Sequence, residues 1–150
     1  MKRIFKIVFL VLSFIGLEVI PALGANTSGT KSNGKMDWSP VIEAIIQVES
    51  EGNPRAVSGN SVGAMQITPI LVAECNQILR ARKSKKKFTL KDRFSVEKSK
   101  EMFLLIQSKH NPLNNIERAI RSWNGGFRCS SRKTQRYFEK VLRAMNSVRK

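Results

Sequence analysis

The sequence predicts a mostly α-helical fold built as one domain. Three observations predict it. Helix-start signals, a capping hydroxyl followed by proline or by an acid in the first turn, recur along the chain. Apolar residues follow those signals at helical spacing. No internal repeat and no convincing strand alternation breaks the pattern.

The chain opens with Lys2, Arg3 and Lys6, then an apolar run from Ile7 to Leu17, then Pro21-Ala22-Leu23-Gly24-Ala25. A positive start, a short apolar middle and a small-residue exit read as a secretory signal peptide over residues 1–24. Glu18 ends the run well short of the ~20 residues of a membrane span, so an uncleaved anchor is the lesser reading. Export to the periplasm or cell envelope is expected, ahead of release to the medium. Residues 25–36, rich in Ser, Thr, Asn, Gly and Lys, read as a flexible lead-in, which leaves 37–150 as the domain.

Ser39-Pro40 starts the first helix, with Ser39 as cap and Pro40 at the first helical position. Val41, Ile42, Ala44, Ile45, Ile46 and Val48 give it a wide apolar stripe, and Gly52 and Asn53-Pro54 stop it. Thr68-Pro69 starts the second helix, which carries Ile70, Leu71, Ala73, Ile78 and Leu79 toward the basic run Arg80 to Lys87. Ser95, with Glu97 in the first turn, starts the third through Met102, Phe103, Leu105 and Ile106, and Asn111-Pro112 ends it. Ile116, Ala119, Ile120 and Trp123 space a fourth, closed by Asn124-Gly125-Gly126. Tyr137, Val141, Leu142 and Met145 give the fifth. Connections are short except around 52–67 and 80–94, where function is expected to concentrate.

The formal charge is +16, and loss of residues 1–24 lowers it only to +14. Such a field attracts polyanions, which for an exported protein means anionic wall polymers and lipid surfaces. Zinc-finger spacing and RNA-binding aromatic signatures are absent, so no nucleic acid is expected. The basic run 80–87 reads as a solvated loop or helix end. Cys75 and Cys129 are too few for a disulfide scaffold; they pair across a long loop or stay as separate buried thiols. With His110 the only histidine, placed in the turn-like Lys109-His110-Asn111-Pro112, there is no ligand-spaced metal site and no Ser-His-Asp set. No cofactor is expected.

Glu49 closes a helix whose other face is apolar. Desolvation there, and the negative end of the helix dipole, both favour the protonated carboxyl. A carboxylic acid near neutral pH is what protonation of a glycosidic oxygen requires. Position alone favours an ordinary solvated helix-end glutamate, since helix ends often carry Glu. Glu51 would project to another side, and Asp37, Glu43 and Glu74 carry no local signature of a second catalytic carboxylate.

Four motifs in order decide between these readings. Glu49-Ser50 is followed, after Glu51, by Gly52-Asn53-Pro54-Arg55-Ala56-Val57-Ser58. Gly63-Ala64-Met65-Gln66 precedes Ile67-Thr68-Pro69. Ser122-Trp123-Asn124-Gly125-Gly126 closes the fourth helix. Tyr137, the only tyrosine, sits in Thr134-Gln135-Arg136-Tyr137-Phe138-Glu139-Lys140-Val141. From about Trp38 to Met145 the chain resembles the catalytic domain of soluble-type lytic transglycosylases, an all-α, goose-lysozyme-like helical fold. It departs from the family pattern in a loop before Gln66 that is one residue shorter, in Ala64 for Leu, in Ser122-Trp123 for Ala-Tyr, in Lys98-Ser99 for Asn-Ile, and in the basic segment 80–93.

The resemblance implies a peptidoglycan lytic transglycosylase. Glu49 would be the single catalytic acid/base between N-acetylmuramic acid (MurNAc) and N-acetylglucosamine (GlcNAc). Met65, Gln66, Trp123, Asn124 and Tyr137 would contact substrate, Tyr137 also orienting Glu49, and Ser50 would support the loop behind the acid. Each has a plainer reading: core packing for Met65 and Trp123, loop fastening for Gln66, helix capping for Asn124. The implied partner is the glycan strand of peptidoglycan; the small domain, without a visible wall-anchoring repeat, also fits local wall opening with an envelope-spanning secretion or conjugation assembly, beside general wall turnover. The rivals are a muramidase hydrolysing the same bond and a non-catalytic wall-binding module.

Overall fold

The computed structural model describes residues 36–148. The signal-peptide reading and all of the lead-in except Met36 lie outside them. Five helices follow in order: α1 Ser39–Ser50, α2 Pro69–Ala81, α3 Val96–His110, α4 Ile116–Gly125 and α5 Ser131–Val148. The fold is all-α but for one small hairpin, β1 Val57–Ser58 and β2 Ser61–Val62, paired antiparallel with Val57 opposite Val62. That hairpin leaves the mostly α-helical expectation intact. Each strand is two residues long, too short to produce an alternation, and its pairing comes from the Gly59 turn and from contacts beyond it.

Helix starts follow the sequence closely. Thr68 caps α2 by accepting from the N–H of Leu71, Ser95 caps α3 through Lys98, and Asn115 caps α4 through Arg118. At α1 the expected cap shifts: Ser39 is already helical, and the Asp37 carboxylate accepts from its N–H at 2.9 Å. A carboxylate is the stronger acceptor there, and that bond holds Asp37 below the usual carboxylate range.

The core is one cluster. Val41, Ala44 and Ile45 of α1 meet Met102, Phe103 and Ile106 of α3, Ala119 and Ile120 of α4, and Val141 and Met145 of α5. Phe103 is fully buried and stands edge-on to Trp38, with ring centroids 5.7 Å apart. The helix most closely packed against α1 is α5, and α5 also lies against α4.

Two devices set α5 on α4. At Gly125 a Cβ would come within 2.6 Å of Cys129 Cβ and 2.8 Å of Thr134 Cγ2, so only glycine permits this approach. Arg121 reaches across to the Ser131 carbonyl and to Thr134 and Gln135, and its guanidinium lies 4.2 Å from the Phe138 ring centroid. Together they fix where α5 carries Tyr137.

The cysteines are free. The buried Cys75 thiol points to the Met102 carbonyl, while Cys129 is half-buried and faces the carbonyl of Arg121. The pairing reading is therefore overturned, because each thiol is engaged with a different helix. Burial, assisted by the neighbouring Glu74 charge, pushes the Cys75 thiol up to about 12. His110, expected in a turn, instead ends α3, half-buried, stacked on Phe127 at 4.3 Å and 2.7 Å from Glu74 Oε1.

Candidate active site

Glu49 occupies the last turn of α1, half-buried. Glu51 follows as the C-cap in left-handed conformation (φ 54°), turning the chain sharply into the 52–56 loop. The phenolic hydroxyl of Tyr137, 88 residues away on α5, donates to Glu49 Oε1 at 2.7 Å. Burial holds the Glu49 carboxyl above the usual range, and the Tyr137 hydrogen bond partly offsets that rise. Burial, then the neighbouring Glu49 charge, pushes the Tyr137 phenol far up, so it stays protonated as a donor.

The segment after the hairpin is held from four sides. Gly63 to Gln66 closes a tight turn, Gln66 N–H donating to the Gly63 carbonyl at 3.1 Å, and Val62 and Ile67 bridge across its base. Ser50 Oγ of α1 donates to the Ala64 carbonyl at 2.9 Å. Trp123 Nε1 of α4 donates to the Met65 carbonyl at 3.2 Å. Arg93, in a 3-10 turn over Leu90–Phe94, sends Nη1 to the carbonyls of Asn60 at 3.0 Å and Ile67 at 3.3 Å. Gly63 makes that last contact feasible. Its φ is +79°, and a Cβ there would fall 1.9 Å from the Arg93 carbonyl oxygen.

The residues expected at the site separate in space. Met65 is fully buried in the core, so its side chain does not line an open groove; flanked by Ala64 and Ile67, it points to the same interior. Gln66 sits at φ +50° and donates its amide N–H to the Gly63 carbonyl at 3.0 Å and, longer, to Ala56 at 3.5 Å. Trp123 is half-buried, 5.2 Å from the Phe103 ring, and its other side lines a pocket of about 210 Å³ shared with Leu71, Glu74 and Phe127. Asn124 is exposed in the last turn of α4, which the Gly126 N–H closes on Ser122 at 2.8 Å; the asparagine is not the cap. The structure thus brings Glu49 and Tyr137 into contact and ties Ser50 and Trp123 to the turn containing Met65 and Gln66. Arg93 was missed by sequence reasoning. It lies in a basic run whose charges look alike, and its reach of 33 residues to Asn60 has no local signature.

The other described carboxylates are occupied elsewhere or turned outward. Glu43 pairs with Lys100, Glu74 with His110, Glu101 with Lys86 and Lys98, and Glu117 with Arg121. Asp37, Asp92 and Glu97 serve helix or turn starts, and Glu139 accepts from Gln135. Glu51 is exposed at the helix end.

A mostly helical domain folded around one core in this way is a lysozyme-like helical domain. Within that class the transglycosylase SLT domain family matches residues 26–145, and the chain belongs to that family, which acts on peptidoglycan. No curated protein and no solved structure matches the chain.

Proposed function

We propose that the protein cleaves the β-1,4 bond between MurNAc and GlcNAc by lytic transglycosylation, with Glu49 as the only acid/base. The observation that carries this reading is the Glu49–Tyr137 pair: a desolvated carboxyl steadied by one phenol, with no second carboxylate bonded to it among the described residues. Protonated Glu49 gives its proton to the bridging oxygen as the bond from that oxygen to the MurNAc anomeric carbon breaks. The resulting carboxylate accepts the Tyr137 hydrogen bond. It then takes the proton from the 6-hydroxyl of the same MurNAc, whose oxygen bonds the anomeric carbon and closes a 1,6-anhydro ring. The proton lost by the acid in the first half returns in the second, so one group serves both halves.

A two-carboxylate hydrolase would need a partner acid about 5–9.5 Å from the first. The carboxylates that could serve are engaged with cations, caps or amides, and Glu51 projects into solvent. The ties of the 63–66 turn to Ser50, the residue after the acid, and to Trp123, with Arg93 holding its flanks, support a pre-organised site of the kind that positioning a reacting sugar demands. The amino-terminal pattern supports export to the envelope, where this substrate lies. The test is Glu49→Gln on purified sacculi. Release of soluble fragments should fall about 10²–10⁴-fold, the range of a lost general acid, with the helical circular dichroism retained. Full activity in that variant would refute the role of Glu49.

A further inference from the structure

The exposed face of α5 has no part in the core. Arg132, Lys133, Arg136, Lys140 and Arg143 are all exposed. At about 100° of rotation per residue they fall in one sector about 100° wide, and they run about 16 Å along the helix. Among the described residues, none of the five is in an ion pair. The one carboxylate on this face, Glu139, accepts from Gln135 Nε2 at 2.8 Å. Like charges at this spacing repel one another, so the stripe costs stability unless an anion neutralises it.

The stripe borders the site. Lys133 and Lys140 stand four residues before and three after Tyr137, the spacings at which helical side chains are neighbours. Both cations thus lie beside the tyrosine that touches Glu49. The basic run 80–87 is a weaker candidate: Lys86 is paired with Glu101, and Arg82 is bonded to Ser108.

We infer that the cationic stripe of α5 binds the carboxylates of the stem peptides carried by the glycan, so that the enzyme prefers peptide-bearing strands to stripped ones. This rests on the reading given under Proposed function. The anions nearest the acid during reaction belong to the substrate itself. Stem peptides carry glutamate and terminal carboxylates; an amidase-stripped strand keeps only the lactyl carboxylate of each MurNAc.

The experiment compares the full chain on peptide-bearing and amidase-stripped glycan strands at low and high salt. The expected KM is about three- to thirtyfold lower for peptide-bearing strands at low salt, as a few exposed ion pairs produce. The advantage should shrink at high salt. In the triple variant Arg136→Gln, Lys140→Gln, Arg143→Gln the ratio of the two KM values should fall toward one. Equal KM values for the wild type, or a triple variant that keeps the wild-type ratio, overturns the inference. Should the variant fail to fold, the wild-type salt series decides: a preference indifferent to salt overturns it too. Cleavage without preference defeats only this inference, whereas no cleavage of either substrate defeats the function on which it rests.

Discussion

Tyr137→Phe isolates the contact on which the site turns. The substitution keeps the ring, and with it the packing between α1 and α5, and removes only the oxygen that donates to Glu49 at 2.7 Å. A hydrogen bond to a charged group contributes about 1.5–3 kcal/mol. In the proposed mechanism the bond strengthens as Glu49 becomes a carboxylate, so most of that value falls on the transition state. At about 1.4 kcal/mol per decade, kcat should fall roughly ten- to a hundredfold. The pH profile should also move in a fixed direction. The phenol holds the Glu49 pKa down against the larger effect of burial, so its loss leaves the acid protonated to higher pH. The basic limb of the kcat profile should shift upward. The assay is the rate of soluble muropeptide release across pH, with thermal melting as the control for folding. A kcat within twofold of the wild type, or a basic limb that stays in place or moves down, would refute the reasoning.

Glu49→Gln should raise the melting temperature at neutral pH. Because the folded pKa is raised, the protonated acid contributes stability that is present below the ordinary carboxylate range and lost as pH rises through the folded value. The difference from wild type should therefore vanish in acid, and a variant that melts lower at neutral pH contradicts this. Gly63→Ala should destabilise by more than about 2 kcal/mol in urea unfolding, since the left-handed backbone alone costs about 1–2 kcal/mol and the Arg93 carbonyl must also move. Arg93→Ala removes the bonds to Asn60 in the hairpin turn and to Ile67 beyond it and should cost about 1–3 kcal/mol, with a lower kcat than its stability loss explains. Met65→Ala should cost about 2–5 kcal/mol by leaving a core cavity, whereas Asn124→Ala should stay within about 0.5 kcal/mol in the same assay.

The helices were legible because their signals are local. Thr68-Pro69 and Ser95 cap where their chemistry says they should, and the apolar stripe of α1 faces the core as its spacing requires. The hairpin was not legible, since two-residue strands carry no period and theirs are stabilised by Arg93 from beyond the second helix. Periodicity could not bring Tyr137 to Glu49 across 88 residues; only the family resemblance pointed there. For Met65 the resemblance suggested a substrate contact, and its plainer reading, core packing, is the one that burial supports. A motif transmits which residues recur together, but the direction of an apolar side chain is decided by the cavity it fills. The cysteines show the reverse limit: two thiols in a chain whose amino-terminal pattern reads as an export signal invite pairing, and packing sends them to separate carbonyls.

The central claim is that the substrate's own hydroxyl, not water, completes the reaction begun by Glu49. Mass spectrometry of the muropeptides released from purified peptidoglycan by the wild-type protein tests it most directly. The account predicts that the new MurNAc ends are 1,6-anhydro sugars, lighter by one water than reducing ends. New ends that carry that water, and take up isotopic oxygen from labelled solvent, would make the protein a muramidase and contradict it.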